Sequence, residues 1–147
     1  MIVADTGAVV ALLDRSDRHH RDMRAIYDED PAAWVLPWSI LPEVDYLIAT
    51  HLGAEAESVF LADLAERRFE VEWGRDDDLV RAAALASQYR DLRLGLVDAT
   101  VIAVAERVRA RAIATLDLRD FGAVAIQGSP ALWPRDRRAG RGRRRQR

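Results

Sequence analysis

Four acidic residues stand where the chain changes from one local pattern to another: Asp5, Glu43, Asp98 and Asp117. Asp5 ends the apolar run 1–4, and Glu43 follows Pro42 at a helix start. Asp98 closes Leu96-Val97, and Asp117 comes two residues after the apolar stretch 112–115. Gathered in one cleft, such groups repel. At an effective dielectric of about 20, two unit charges about 4 Å apart cost about 4 kcal/mol. Protonation relieves that repulsion, and so does a bound divalent cation. Oxygen-only ligands favour hard ions such as Mg²⁺ or Mn²⁺. With no cysteine and only His19, His20 and His51, a zinc site is poorly supplied. A cation so held activates water and neutralises charge on a phosphodiester, and two such ions would stand roughly 3.5–4 Å apart. The hydroxyls of Thr6 and Thr115, beside the acids, can orient a carboxylate or a metal-bound water. Taken singly, Asp98 can equally cap its helix and Glu43 can complement a helix dipole. Asp5, after a wholly apolar strand, is harder to explain that way.

Composition removes other chemistries. All 22 basic residues are arginine. Without lysine, a phosphate-binding loop, a Schiff-base enzyme and a lysine-dependent phosphotransfer site are disfavoured. Without cysteine, disulfides and thiolate nucleophiles are impossible, and a reducing cytoplasm is the natural compartment. The chain shows no signal-peptide pattern and no apolar run of membrane-spanning length, so no membrane association is expected.

The elements that must position the acids alternate. Strands are expected at residues 1–4, 33–37, 69–73, 112–115 and 123–126. Helices are expected at 7–13, 19–27, from Ser39 as cap through 52, at 55–67, from 76 to 89, and at 99–108. Asp76, Asp77 and Asp78 resemble a metal cluster, but acids opening a helix are better explained by capping and the helix dipole. The alternation predicts a three-layer α/β domain with a central, mostly parallel sheet. Ligands of such sheets sit beyond the carboxyl ends of the strands, where the returning helices begin, and all four acids fall at that rim.

The net charge of −2 conceals an asymmetry. Residues 135–147 carry eight arginines and one acid, and residues 1–134 are correspondingly acidic. The expected organisation is a domain over 1–134 and an arginine-rich, disordered tail over 135–147. A basic tail on an acidic body suits nucleic acid or an acidic partner.

Four segments together resemble the PIN-domain family, specifically VapC-type toxins of toxin–antitoxin pairs. They are Ile2-Val-Ala-Asp5-Thr6, Pro42-Glu43-Val44, Leu94-Gly-Leu-Val-Asp98-Ala99 and Thr115-Leu-Asp117-Leu-Arg-Asp120-Phe121. The resemblance runs from residue 1 to about 130. It implies a PIN-like α/β/α fold, a Mg²⁺- or Mn²⁺-dependent endoribonuclease, a homodimer, and a cognate antitoxin that blocks the acidic site. It places Asp5, Glu43, Asp98 and Asp117 on the family's acidic quartet, and Thr6 and Thr115 on its hydroxyl positions. Asp120 can assist or merely tie down its loop, and stays outside the expected metal set.

RNA needs cations around an acidic centre, because carboxylates repel phosphate. The candidates are Arg15, Arg18, Arg90, Arg93, Arg119 and the tail. Trp38 can stack on a base, although core or dimer packing is the commoner role. His19 and His20 are expected to be solvated, and Tyr46 and Leu47 to serve the core or a partner. Two other readings stay open: a housekeeping PIN nuclease without an antitoxin, and a non-catalytic RNA- or protein-binding module.

Overall fold

A computed structural model describes residues 1–137. Five short strands form one sheet: β1 (Ile2–Ala4), β2 (Trp34–Pro37), β3 (Glu70–Glu72), β4 (Ala112–Ala114) and β5 (Ala131–Trp133). Their order is β3-β2-β1-β4-β5, and every pairing is parallel. Val3 of central β1 faces Val35 of β2 and Ile113 of β4 in register. Both faces of β1 and β4 are buried, which is why these strands read as unbroken apolar runs rather than as alternation.

The helices are α1 (Thr6–Leu13), α2 (His20–Glu29), α3 (Leu41–Leu52), α4 (Ala54–Ala65), α5 (Asp76–Gln88), α6 (Leu96–Arg107) and α7 (Leu118–Ala123). Helix α1 packs on α2 and α3, and α3 on α4, while α5 packs on α6, which lies against β1 and β2 and touches α7. The middle of α6 is buried from Ala99 to Ala105, because it lies between the sheet and α5. Small residues there let the three layers approach closely. Each large aliphatic side chain removed from water, such as Ile102 or Ile113, contributes about 1.5–3 kcal/mol.

Arginine pairs fasten the α5–α6 layer to the sheet edge. Arg107 of α6 reaches Asp78 of α5 at 2.7 Å and Glu72 of β3 at 2.9 Å. Arg81 holds Glu106 at 2.7 Å. The expected capping role of the Asp76–Asp78 acids is thus met by Asp78, whose carboxylate accepts the Arg75 N–H at 2.9 Å while it also binds Arg107.

Two expectations need correction. Residues 123–126 are not a strand. The Asp117 carboxylate accepts the Asp120 N–H at 3.0 Å and starts α7, which consumes Ala123, and Val124 then reaches the core as irregular chain. The fifth strand is Ala131–Trp133, an apolar triplet between Pro130 and Pro134. Ser39 does not cap α3: it is buried in a single 3-10 turn, Trp38–Ile40, and α3 continues from Ile40 with no side-chain cap. The tail's first residues are engaged with the domain. Arg137 lies over the Trp133 ring at 4.9 Å and bonds Glu29 at 2.6 Å. The rest of the expected disordered tail lies outside the described residues.

Candidate active site

The rim at the carboxyl ends of β1 and β4 is where the sheet's crossovers diverge, and backbone geometry there is well fixed. The Asp5 N–H continues the ladder to the Ala114 carbonyl at 2.9 Å, and the Thr115 N–H does so to Trp133 at 3.0 Å. Asp5 therefore leaves β1 beside Thr115. Its carboxylate accepts the Thr6 N–H at 2.6 Å, capping α1, and the Thr115 hydroxyl at 2.9 Å. The Thr115 oxygen in turn accepts the Asp117 N–H at 3.0 Å, and the Thr6 hydroxyl donates to Glu43 at 3.2 Å. Each threonine orients one of the acids.

Asp98 lies in the first turn of α6, not ahead of it, and Gly95 takes the flanking position. Asp98, Asp117 and Asp120 each offer a carboxylate oxygen, and these lie within 4.8 Å of one another. Asp120 thus stands in the cluster from which sequence reasoning had withheld it. The spacing Asp117-Leu-Arg-Asp120 was the available signal, since residues three apart share one helix face. Arg119 binds Asp120 at 3.0 Å and the Leu92 carbonyl at 3.3 Å.

Asp5, Thr6, Glu43, Asp98, Asp117 and Arg119 line one cavity of about 640 Å³. Leu47 of α3 also borders it, whereas Tyr46 projects into solvent. Burial pushes the Asp5 carboxyl up to about 6 despite hydrogen bonds from Thr115 and Thr6, with Asp117 and Glu43 adding repulsion. Asp98 is pushed up to about 7, first by burial and then by Asp5, Asp117, Asp120 and Glu43; no hydrogen bond offsets these. Buried carboxylates that also crowd one another fit a cation, which would offset both burial and repulsion. Its all-oxygen donor set suits a hard divalent ion.

The remaining expectations are met unevenly. Among the five arginines named for RNA, Arg119 alone lines the acidic cavity. Arg15, Arg18, Arg90 and Arg93 are exposed outside its wall. Trp38 is half exposed and also stands outside it, its indole lying against Gly74. Gly74 has φ +83°, and a Cβ there would come within 2.6 Å of the Trp38 Nε1, so this turn needs glycine. His19 is half-buried rather than solvated, which sequence pattern gave no means of seeing.

Residues 2–127 match the model of the PIN domain family. The chain is 33% identical over 123 residues to Ribonuclease VapC26 of Mycobacterium tuberculosis, covering 84% of this chain and 91% of that protein. The fold is similar to the crystal structure of VapC20 of the same organism, a toxin described as cleaving the sarcin-ricin loop. The TM-score is 0.76 at 22% identity, over 88% of this chain and 99% of that one. It is also similar to a chain of the VapBC2 complex from Rickettsia felis bound to a promoter DNA fragment. There the TM-score is 0.66 at 15% identity, over 90% of this chain and 97% of that one.

Proposed function

The chain belongs to the PIN-domain family, and we propose that it is an endoribonuclease toxin of a toxin–antitoxin pair, using Mg²⁺ or Mn²⁺ to hydrolyse RNA phosphodiesters. The observation that carries the reading is the convergence of Asp5, Glu43, Asp98 and Asp117 on one cavity, with Asp5 and Asp98 held above the usual carboxylate range by burial and, after it, by the neighbouring carboxylates. Its identity to a VapC ribonuclease over most of both chains supports the substrate class.

Asp5, Glu43, Asp98 and Asp117 would hold the cation, with Asp120 beside Asp98 and Asp117. A divalent ion bound there supplies Lewis acidity toward the phosphodiester and lowers the pKa of water. The protein's own part is orientation and charge. Thr115 fixes the rotamer of Asp5, and Thr6 that of Glu43. Buried Asp5 anchors the floor, while exposed Glu43 and Asp117 face the incoming strand. Arg119, at the cavity wall, offers a guanidinium to a phosphate that the carboxylates would otherwise repel.

A cognate antitoxin is proposed as partner because similar folds occur in a toxin–antitoxin complex from Klebsiella pneumoniae and in VapBC2 from Rickettsia felis. The exposed apolar side chains of Trp73, Leu79 and Val80 support a homodimer that would cover them. No helix among the described residues is long and apolar enough to cross a membrane, and the cytoplasm is the proposed site of action.

The test is RNA cleavage by wild type and Asp98→Asn with Mg²⁺, Mn²⁺ or EDTA. Discrete fragments that require metal and vanish in the variant are expected. Absence of cleavage by the antitoxin-free wild type on total RNA would overturn the reading.

A further inference from the structure

Two cavities meet at the carboxyl rim of the sheet. Beside the acidic one lies a second, of about 240 Å³, lined by His19, Thr115, Leu116, Leu118, Pro134 and Arg135. Leu116 and Leu118 border both, so the two adjoin across these side chains. Their chemistry is opposite: the first is walled by carboxylates, the second by an imidazole, a guanidinium and apolar side chains.

We propose that the second cavity is a nucleotide subsite for single-stranded RNA, in which Arg135 takes a phosphate next to the cleaved bond and Leu116, Leu118 and Pro134 receive the base, with His19 at its edge. The assignment rests on the reading of the chain as a ribonuclease, and it adds the path by which the strand reaches the acids.

Charge dictates the side of approach. A polyanion drawn toward clustered carboxylates needs cations on its flank. The wall formed by Thr6, Gly7, Glu43 and Leu47 has none, whereas Arg119 and Arg135 both lie on the Leu118 side. Arg135 is held for this task. Asp136 accepts from its Nε at 2.7 Å and Nη2 at 3.1 Å, and is itself fixed by the Leu132 N–H at 2.7 Å. That pair occupies one edge of the guanidinium and leaves Nη1 outside it, on the side of Gly122, in a side chain half exposed to solvent that lines both this cavity and the one beside Gly122. His19 is fixed as well: its backbone N–H donates to the Asp17 carboxylate at 2.7 Å, and its Nε2 accepts from Arg18 at 3.0 Å. With Nε2 turned to Arg18, Nδ1 is the ring nitrogen left to meet a phosphate or a base. Unpaired bases are commonly held by stacking on flat rings or guanidinium planes, and His19 and Arg135 supply such faces beside the apolar wall of this cavity.

The experiment measures binding of a fluorescein-labelled single-stranded RNA pool to the full-length protein in EDTA over a salt series, by fluorescence anisotropy. Circular dichroism checks that each variant folds. Arg135→Gln is expected to weaken binding several-fold and to reduce the slope of log affinity against log salt by about 0.7, the loss of one single-strand phosphate contact. Arg135→Lys is expected to restore the slope, and His19→Ala to weaken binding several-fold. Duplex RNA of the same composition is expected to compete poorly. If wild type cleaves RNA but Arg135→Gln and His19→Ala both bind as tightly and with the same salt slope, the subsite is overturned and the ribonuclease reading stands. A wild type that neither binds nor cleaves RNA overturns both.

Discussion

The Thr115 hydroxyl donates to Asp5 Oδ2 at 2.9 Å and accepts the Asp117 N–H at 3.0 Å, tying two acids of the centre through one buried oxygen. Thr115→Val keeps the shape and removes both bonds. Leaving a buried carboxylate and a backbone N–H with one partner fewer costs about 1–3 kcal/mol, so the melting temperature should fall by several degrees and RNA cleavage should drop sharply. Thr115→Ser should restore both. A Val variant as stable and active as wild type would make this link incidental.

Asp98→Asn should abolish cleavage while stabilising the metal-free protein at neutral pH. Removing the ionisation that burial and four carboxylates oppose is worth about 1–2 kcal/mol once solvent screening of this half-buried group is allowed for. Urea unfolding in EDTA measures it. A marked loss of stability would assign Asp98 to the fold rather than to the cation.

The same carboxyls set a pH dependence. Folding raises Asp5 to about 6 and Asp98 to about 7 from an ordinary 3.8, so between these limits the folded state holds more protons than the unfolded chain. Stability then falls as pH rises. The contribution is fully present below the ordinary value and is lost as pH climbs through the raised ones. Other acids, such as Asp14 and Asp136, are lowered and act in the opposite sense. The useful quantity is therefore wild type minus the Asp5→Asn/Asp98→Asn double variant, from urea melts in EDTA across the acid-to-neutral range. That difference should decline with pH; a flat or rising one would contradict the crowding of the centre.

Mg²⁺ or Mn²⁺ should raise the melting temperature of the wild type, since a ligand confined to the folded state stabilises it by mass action. The rise should grow toward neutral pH, as protons leave Asp5 and Asp98, and should disappear in the double variant. Differential scanning calorimetry checks this, and equal rises in both proteins would place the ion elsewhere.

Arg107→Met should destabilise the fold by about 2–4 kcal/mol, because it strips the nearly buried Asp78 of its cation and frees Glu72. Chemical denaturation reads the loss. A change under about 0.5 kcal/mol, the range of ordinary surface substitutions, would mean that water already serves those acids.

Much of the fold was legible because buried parallel strands write themselves as apolar runs. The residues of β1, β2 and β4 could hardly be anything else, and each acid following them fell at the rim by topology alone. The carboxyl-terminal part was harder. A four-residue apolar run at 123–126 satisfies strand and helix alike, and the decision lay in a cap bond from Asp120 to Asp117. Ala131–Trp133, between two prolines, carried too short a pattern to stand out. The place of Asp120 was left open, and the half-burial of His19 unforeseen, for a different reason. Their roles depend on distances between chain segments, and no local pattern encodes which side of a turn faces a neighbour.

All five strands are parallel, with β1 in the middle and its partner β4 more than a hundred residues away in sequence. No hairpin can assemble any part of the rim early. Asp5 and Glu43 leave the ribosome long before Asp98 and Asp117, and Asp5 meets its threonine only when β4 docks. The acidic cavity is therefore incomplete until the last quarter of the domain has been made, and it arrives with completion of the fold rather than by degrees.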